Sequence, residues 1–131
     1  MSEFSLRVYY EDTDAGGVVY HANYLKFAER ARTEMLRTLD AEQSNLAENY
    51  DVVFIVRRAE IDFKAPARLD DELTIHTTVQ DIKPASLVMQ QRILRGQDEL
   101  SVILVKIACV NKAFKPTPLP KDLLEKFSEA V

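Results

Sequence analysis

The residues best able to do chemistry are gathered in one short stretch: Tyr10, Asp12, Asp14, Gly16, Gly17, His21 and Asn23. A carboxylate can take a proton from water or attack a carbonyl itself, and an imidazole can orient either reactant. The stretch leads from an apolar alternation into a helical pattern. Unbonded amides and the helix dipole favour a developing oxyanion at such a helix start. These are the ingredients of acyl transfer. Ordinary turn chemistry fits the same residues, because Asp accepts local backbone hydrogen bonds and Gly permits positive φ. Residue types and spacing leave both readings open.

Other chemistries find less support. Asp12, Asp14 and His21 match no compact ligand spacing and no thiolate cluster accompanies them, so no metal is expected. There is no Gly-x-Ser-x-Gly elbow, and His76 falls on a period-two segment as a surface position. Neither G-x-G-x-x-G nor a P-loop occurs. The single cysteine, Cys109, lies in the apolar run Ser101–Val110 and reads as a buried, inert thiol. With no disulfide to form inside the chain, a reducing cytoplasm is the expected setting.

The elements that must position the polar stretch follow from periodicity. Phe4–Tyr10 alternates as a strand and ends in the Glu11–Gly17 turn. Tyr24, Phe27, Ala28, Ala31, Met35 and Leu39 form one apolar stripe at helical spacing, with Asn23 as the expected N-cap. Asp40–Asn49 continues as a weaker helical segment. From Val52 the period changes to two. Strands are expected over Val52–Phe63, around Leu73–Val79, over Leu87–Arg95 and over Glu99–Phe114, with Gly96-Gln97-Asp98 as a tight hairpin connection. Val102-Ile103-Leu104-Val105 is apolar on consecutive positions, as in a strand buried on both faces. Lys121–Val131 reads as a short packed helix. The expected order is a strand, a long helix, and four strands in a meander. This is an α+β arrangement of one antiparallel sheet around one helix.

The 131 residues fit one domain spanning 1–131. Hydrophobic residues make up 47% and charged residues 29%, which excludes disordered, collagen-like and coiled-coil classes. Twenty-one acidic against 17 basic side chains leave a net charge of −4, which argues against a general nucleic-acid binder. The first residues lack a basic-then-apolar leader, and no apolar stretch reaches about 18 residues. Neither a secretory signal nor a membrane span is expected. One helix is too little to cover the sheet, so a homo-oligomer is expected.

Val8-Tyr9-Tyr10-Glu11-Asp12-Thr13-Asp14-Ala15-Gly16-Gly17-Val18-Val19-Tyr20-His21-Ala22-Asn23-Tyr24-Leu25 resembles the signature of the hotdog-fold acyl-CoA thioesterases. Within them it is most similar to the 4-hydroxybenzoyl-CoA thioesterase class and its YbgC-type branch, associated with the Tol–Pal envelope system. Glu29–Glu34, Arg57–Phe63 and Ala65–Asp71 extend the similarity, which covers the chain from about Phe4 to Phe114.

The resemblance implies a long central helix wrapped by a curved antiparallel sheet, paired into dimers and commonly tetramers. It implies that Asp14 is the catalytic carboxylate, as nucleophile or as general base toward water. His21 and Tyr10 match supporting catalytic positions, and Asp12 and Asn23 hold the loop and the helix start. The helix N-terminus around Val19, Tyr20 and Asn23 would bind the thioester oxygen, with the acyl group between helix and sheet at a subunit interface. Coenzyme A is then part of the substrate and no cofactor is needed. Arg57, Arg58, Lys64, Arg68, Lys83 and Arg92 are candidates to relieve its phosphate charge, against the plain reading of each as a solvated strand or turn charge.

The expected activity is hydrolysis of acyl-CoA to a carboxylic acid and coenzyme A, with acyl carrier protein as a second possible carrier. The competing expectations are a hotdog-fold hydratase or dehydratase on acyl thioesters and an acyl-carrier-binding scaffold of the envelope system.

Overall fold

The computed structural model describes residues 2–130. The strands are β1 (Ser2–Arg7), β2 (Val53–Phe63), β3 (Glu72–Lys83), β4 (Ser86–Arg95) and β5 (Asp98–Val110). The helices are α1 (Asn23–Thr38), α2 (Gln43–Asn49) and α3 (Lys121–Ala130), and one 3₁₀ turn spans Tyr10–Asp12. Among the described residues, no helix is long and apolar enough to cross a membrane.

The five strands form one antiparallel sheet in the order β1-β3-β4-β5-β2. Only β3-β4-β5 is the expected meander, because β2 pairs with β5 at the far edge and β1 lies beside β3. The sequence of β2 accounts for this. Arg57, Arg58, Glu60 and Asp62 are all exposed, which suits an edge that water reaches. Register shifts at Val56/Arg58 in β2, Val79/Ile82 in β3 and Ile93/Leu94 in β4 bend the sheet around the helix.

The stripe Tyr24, Phe27, Ala28, Ala31 and Met35 buries α1 against the sheet, with Leu73, Ile75, Ile93, Ile103 and Val105 opposite. In β5 the buried positions alternate, Ile103 and Val105 inside and Val102 and Leu104 only half-buried. The consecutive apolar run therefore has one core face within the chain, rather than two.

Phe114 falls outside β5, in a turn with φ 58°. The terminal helix packs as expected, burying Leu123 and Phe127. Its Lys126 Nζ donates to the Leu39 carbonyl at 2.6 Å, satisfying a free acceptor at the end of α1. Val131 lies outside the described residues.

Candidate active site

The strand expected through Tyr10 ends at Arg7, and Tyr10 opens the 3₁₀ turn, 82% exposed. The turn winds around a buried carboxylate. Asp12 Oδ2 accepts the Tyr9 amide at 2.8 Å, Oδ1 accepts Asn23 Nδ2 at 2.9 Å, and its carbonyl accepts the Tyr20 amide at 2.8 Å. Asn23 is therefore the first residue of α1 and not its cap. Its side chain turns away from the helix amides because the buried Asp12 anion offers a charged acceptor. Ala22 takes the cap position without a side-chain bond.

Beyond Asp12 the chain forms a small hairpin bridged at Thr13 and Val19. The Asp14 amide donates to Val18 O at 2.9 Å, and Gly17 N returns to Asp14 O at 3.0 Å. Gly17 sits at φ +79°, a conformation that L side chains rarely adopt. At the exposed tip, Asp14 Oδ1 accepts the Gly16 amide at 2.8 Å. Asp14 Oδ2 has no protein partner among the described residues.

Residues 64–71 back the hairpin. Val19 N donates to Ala67 O at 2.9 Å, Ala67 N donates to the Tyr24 hydroxyl at 3.0 Å, and Val18 bridges Arg68. Arg95 and the Arg68 amide both donate to Asp71 Oδ2, at 2.8 and 2.9 Å. Partial burial raises the Asp71 pKa, but these bonds outweigh it and hold the carboxyl below its ordinary value.

Among the expected oxyanion donors, the amides of Val19, Tyr20 and Asn23 already donate within the chain, to Ala67, Asp12 and Tyr20. Those of His21, Ala22 and Tyr24 have no protein acceptor among the described residues. Tyr10 and Asp14 line one hollow with Thr13 and Leu69. The His21 ring packs against Tyr20 at a tilt of 53°, ring centroids 4.6 Å apart, and lines a second hollow with Tyr24, Phe63 and Pro66. The two hollows share no lining residue, so one chain does not bring Asp14 and His21 into a common pocket.

Of the basic candidates, Arg58 pairs with Glu60 at 2.5 Å on β2, and Lys64 and Arg92 both pair with Glu99 at 2.5 Å. Lys83 stands 3.9 Å from Asp81. Arg57 and Arg68 make no ion pair within 4 Å among the described residues, although the Arg68 charge also helps to lower the Asp71 pKa. The Cys109 thiol is buried, and desolvation pushes its pKa up to about 11, the state of an inert thiol.

One buried polar group is not used by this site. Gln91 lies on the inward face between Met89 and Ile93, where the alternation calls for an apolar residue. That polar interruption is its signal in the sequence.

A helix wrapped by a curved antiparallel sheet, with a carboxylate loop at the helix start, defines a hotdog-fold domain. A family profile described as "Thioesterase-like superfamily" matches residues 8–127. The chain is 49% identical over 125 residues to "Acyl-CoA thioesterase YbgC" of Haemophilus influenzae, covering 95% of this chain and 92% of that one. It is 47% identical over 127 residues to "Acyl-CoA thioester hydrolase YbgC" of Escherichia coli O6:H1, covering 95% and 93%. The crystal structure of a probable thioesterase from Bartonella henselae superposes with a TM-score of 0.87 at 43% identity, over 90% of this chain and 98% of that one. The chain belongs to the thioesterase-like superfamily.

Proposed function

We propose that this chain hydrolyses acyl-CoA thioesters to a carboxylic acid and coenzyme A, with Asp14 as the reacting carboxylate. The observation that carries the reading is Asp14 itself. The Gly16 amide fixes one oxygen at 2.8 Å, and the other has no protein partner among the described residues and faces an exposed hollow with Tyr10, Thr13 and Leu69. The unbonded amides of His21 and Ala22 offer donors for the thioester oxygen, where the α1 dipole favours negative charge. One chain keeps His21 in a separate hollow from Asp14, so the complete site needs a second copy.

As general base, Asp14 takes a proton from water while the resulting hydroxide adds to the thioester carbon. As nucleophile, an Asp14 oxygen adds directly, and water then cleaves the anhydride formed. In either course the C–S bond breaks and the coenzyme A thiolate leaves. His21 and Tyr10 support orientation, and Arg57 and Arg68 are free to meet phosphate. Similarity to the acyl-CoA thioesterases of Haemophilus influenzae and Escherichia coli and the basic side chains without an ion pair favour coenzyme A as carrier, with acyl carrier protein as a second one. The substrate needs neither a further cofactor nor nucleic acid. A single buried cysteine fits action in the cytoplasm.

The working unit is a homo-oligomer, at least a dimer. The exposed edge of β2 carries Val56 and Phe63, 51% and 52% exposed, whereas the β1 edge is short and charged by Glu3 and Arg7. Two β2 edges paired about a twofold axis set the Val53 end of one copy beside the Phe63 end of the other.

Thiol release from a panel of short- and long-chain acyl-CoAs tests the reading. Asp14→Asn is expected to lose about 10²–10⁴-fold in kcat/KM. A folded Asp14→Asn protein with full turnover overturns the role of Asp14. Water addition to an enoyl-CoA, without thiol release, overturns the hydrolase.

A further inference from the structure

A narrow cavity of about 140 Å³ lies between α1, the start of β2 and the inner faces of β4 and β5. Its walls are apolar, with Leu36, Phe54, Leu87, Met89, Ile107 and Phe127. Arg32 also lines it, on the inward side of α1. Its Nη1 donates to Gln91 Oε1 at 2.9 Å. Gln91 is fully buried and donates to Ala28 O at 2.8 Å and to Thr77 Oγ1 at 3.1 Å, so its oxygen is committed to facing the guanidinium. No carboxylate stands within ion-pair distance of Arg32 among the described residues. Burial pulls its pKa below the ordinary arginine value, and Glu29, at the cavity rim, offsets this in part.

This arrangement is a poor way to stabilise a fold. A partly desolvated guanidinium whose one hydrogen-bonded partner is neutral, with Glu29 acting beyond ion-pair distance, costs more than an apolar side chain of similar size. Its Nε and Nη2 donate to no protein acceptor among the described residues, and they are not sealed from solvent, so a ligand oxygen can reach them. A planar fork of N–H groups in an apolar cavity suits a ligand oxygen held in two bonds. The volume also limits the ligand. It falls below the roughly 300–1,000 Å³ of pockets that enclose drug-sized molecules.

Resting on acyl-CoA hydrolysis as read above, we infer that this cavity takes the tail of a short acyl group and that Arg32 selects tails ending in an oxygen acceptor, a hydroxyl or a carboxylate. Arg32 lies nine residues beyond Asn23, about 14 Å along the helix axis. The cavity shares no residue with the Asp14 hollow of its own chain. Its Phe54–Val56 side is the Val53 end of β2, which edge pairing carries toward the Phe63 end of the second copy, where His21 lies. In that pairing the cavity of one copy lies toward the His21 hollow of the other, and Arg32 reads the tail of a thioester whose oxygen is held there.

The test compares butyryl-CoA, 4-hydroxybutyryl-CoA and succinyl-CoA, three acyl groups of matched length, on the wild-type protein, Arg32→Leu and Arg32→Lys. At least one of the two oxygen-ended substrates is expected to exceed butyryl-CoA by about tenfold to a hundredfold in kcat/KM. The faster of them tells hydroxyl from carboxylate. Arg32→Leu is expected to remove that preference, read as the ratio of kcat/KM for the oxygen-ended substrate to that for butyryl-CoA in the same variant, and Arg32→Lys to restore part of the ratio. A wild-type protein that prefers butyryl-CoA overturns the inference, whatever the stability of the variants. An unchanged preference in both variants overturns it too. Failure of the wild type on every thioester overturns the hydrolase reading beneath it instead.

Discussion

The buried Asp12 carboxylate accepts the Asn23 side-chain amide at 2.9 Å, tying the loop that carries Asp14 to the first turn of α1. The same carboxylate accepts the Tyr9 amide at 2.8 Å. Asp12→Ala leaves two donors without their charged acceptor, in a place water reaches poorly. The expected loss is about 2–4 kcal/mol of unfolding free energy, read as a lower urea midpoint. Asn23→Ala leaves the Tyr9 bond intact and is expected to cost less. A pair of variants with no effect on the midpoint would contradict this role for Asp12.

The adjacent glycines are expected to respond in opposite ways. A Cβ on Gly16 meets Asp14 Oδ1 at 3.1 Å, tighter than ordinary contact. Gly16→Ala should therefore move the reacting carboxylate, lowering kcat/KM with little change in stability. A Cβ on Gly17 meets nothing within 4 Å, but φ is +79°. Gly17→Ala should cost about 1–2 kcal/mol through the backbone alone. Thermal unfolding beside thiol-release kinetics separates the two, and equal effects on both readouts would contradict the assignment.

What could be read in the sequence was local. The stripe from Tyr24 to Met35 located α1, and the alternations around Leu73, Leu87 and Glu99 located β3, β4 and β5, because each pattern is set by neighbours three or four and two positions away. The Asp-Thr-Asp-Ala-Gly-Gly run marked the hairpin that holds Asp14. What could not be read depends on distant partners. Asn23 looked like a cap because the burial of Asp12 is a tertiary property. The partnering of β2 with β5, against the expected meander, pairs Phe54 with Cys109. Nothing local sets Arg32 apart from the other charged residues of α1, and its meaning comes from Gln91, 59 residues on.

The Cys109 thiol offers a clean probe of opening. It is buried in β5, its pKa is pushed up to about 11 by desolvation, and no cationic side chain pairs with it among the described residues. The thiolate, the reactive species, is scarce in the native protein at neutral pH. Iodoacetamide labelling at pH 8 is expected to be slow, to accelerate sharply at the urea unfolding midpoint, and to leave native thioesterase turnover unchanged. Rapid labelling before unfolding would show that β5 opens locally.

Two ion clusters set the expected acid sensitivity. Hydrogen bonds from Lys64 and from Arg92 lower the Glu99 pKa against a small opposing effect of burial. At Asp71, burial raises the pKa, and bonds from Arg95 and the Arg68 amide bring it below the ordinary value. Both carboxyls thus bind protons less readily folded than unfolded. Their stabilisation is present above the unfolded values, about 4.3 for Glu and 3.9 for Asp, and is lost as pH falls through the lower folded values. Glu99→Gln and Asp71→Asn should therefore destabilise at pH 7 and converge on the wild type below about pH 3. The exposed Glu99 cluster should also weaken as salt is raised. Asp71→Asn should carry a second signature, because its carboxylate anchors the segment that holds Ala67 against Val19. Thioester turnover should fall in that variant at pH 7 while Glu99→Gln leaves it near wild type. Urea midpoints from pH 2.5 to 7, measured beside turnover, check both expectations. A stability difference that persists undiminished at pH 2.5 would assign the effect to packing rather than charge.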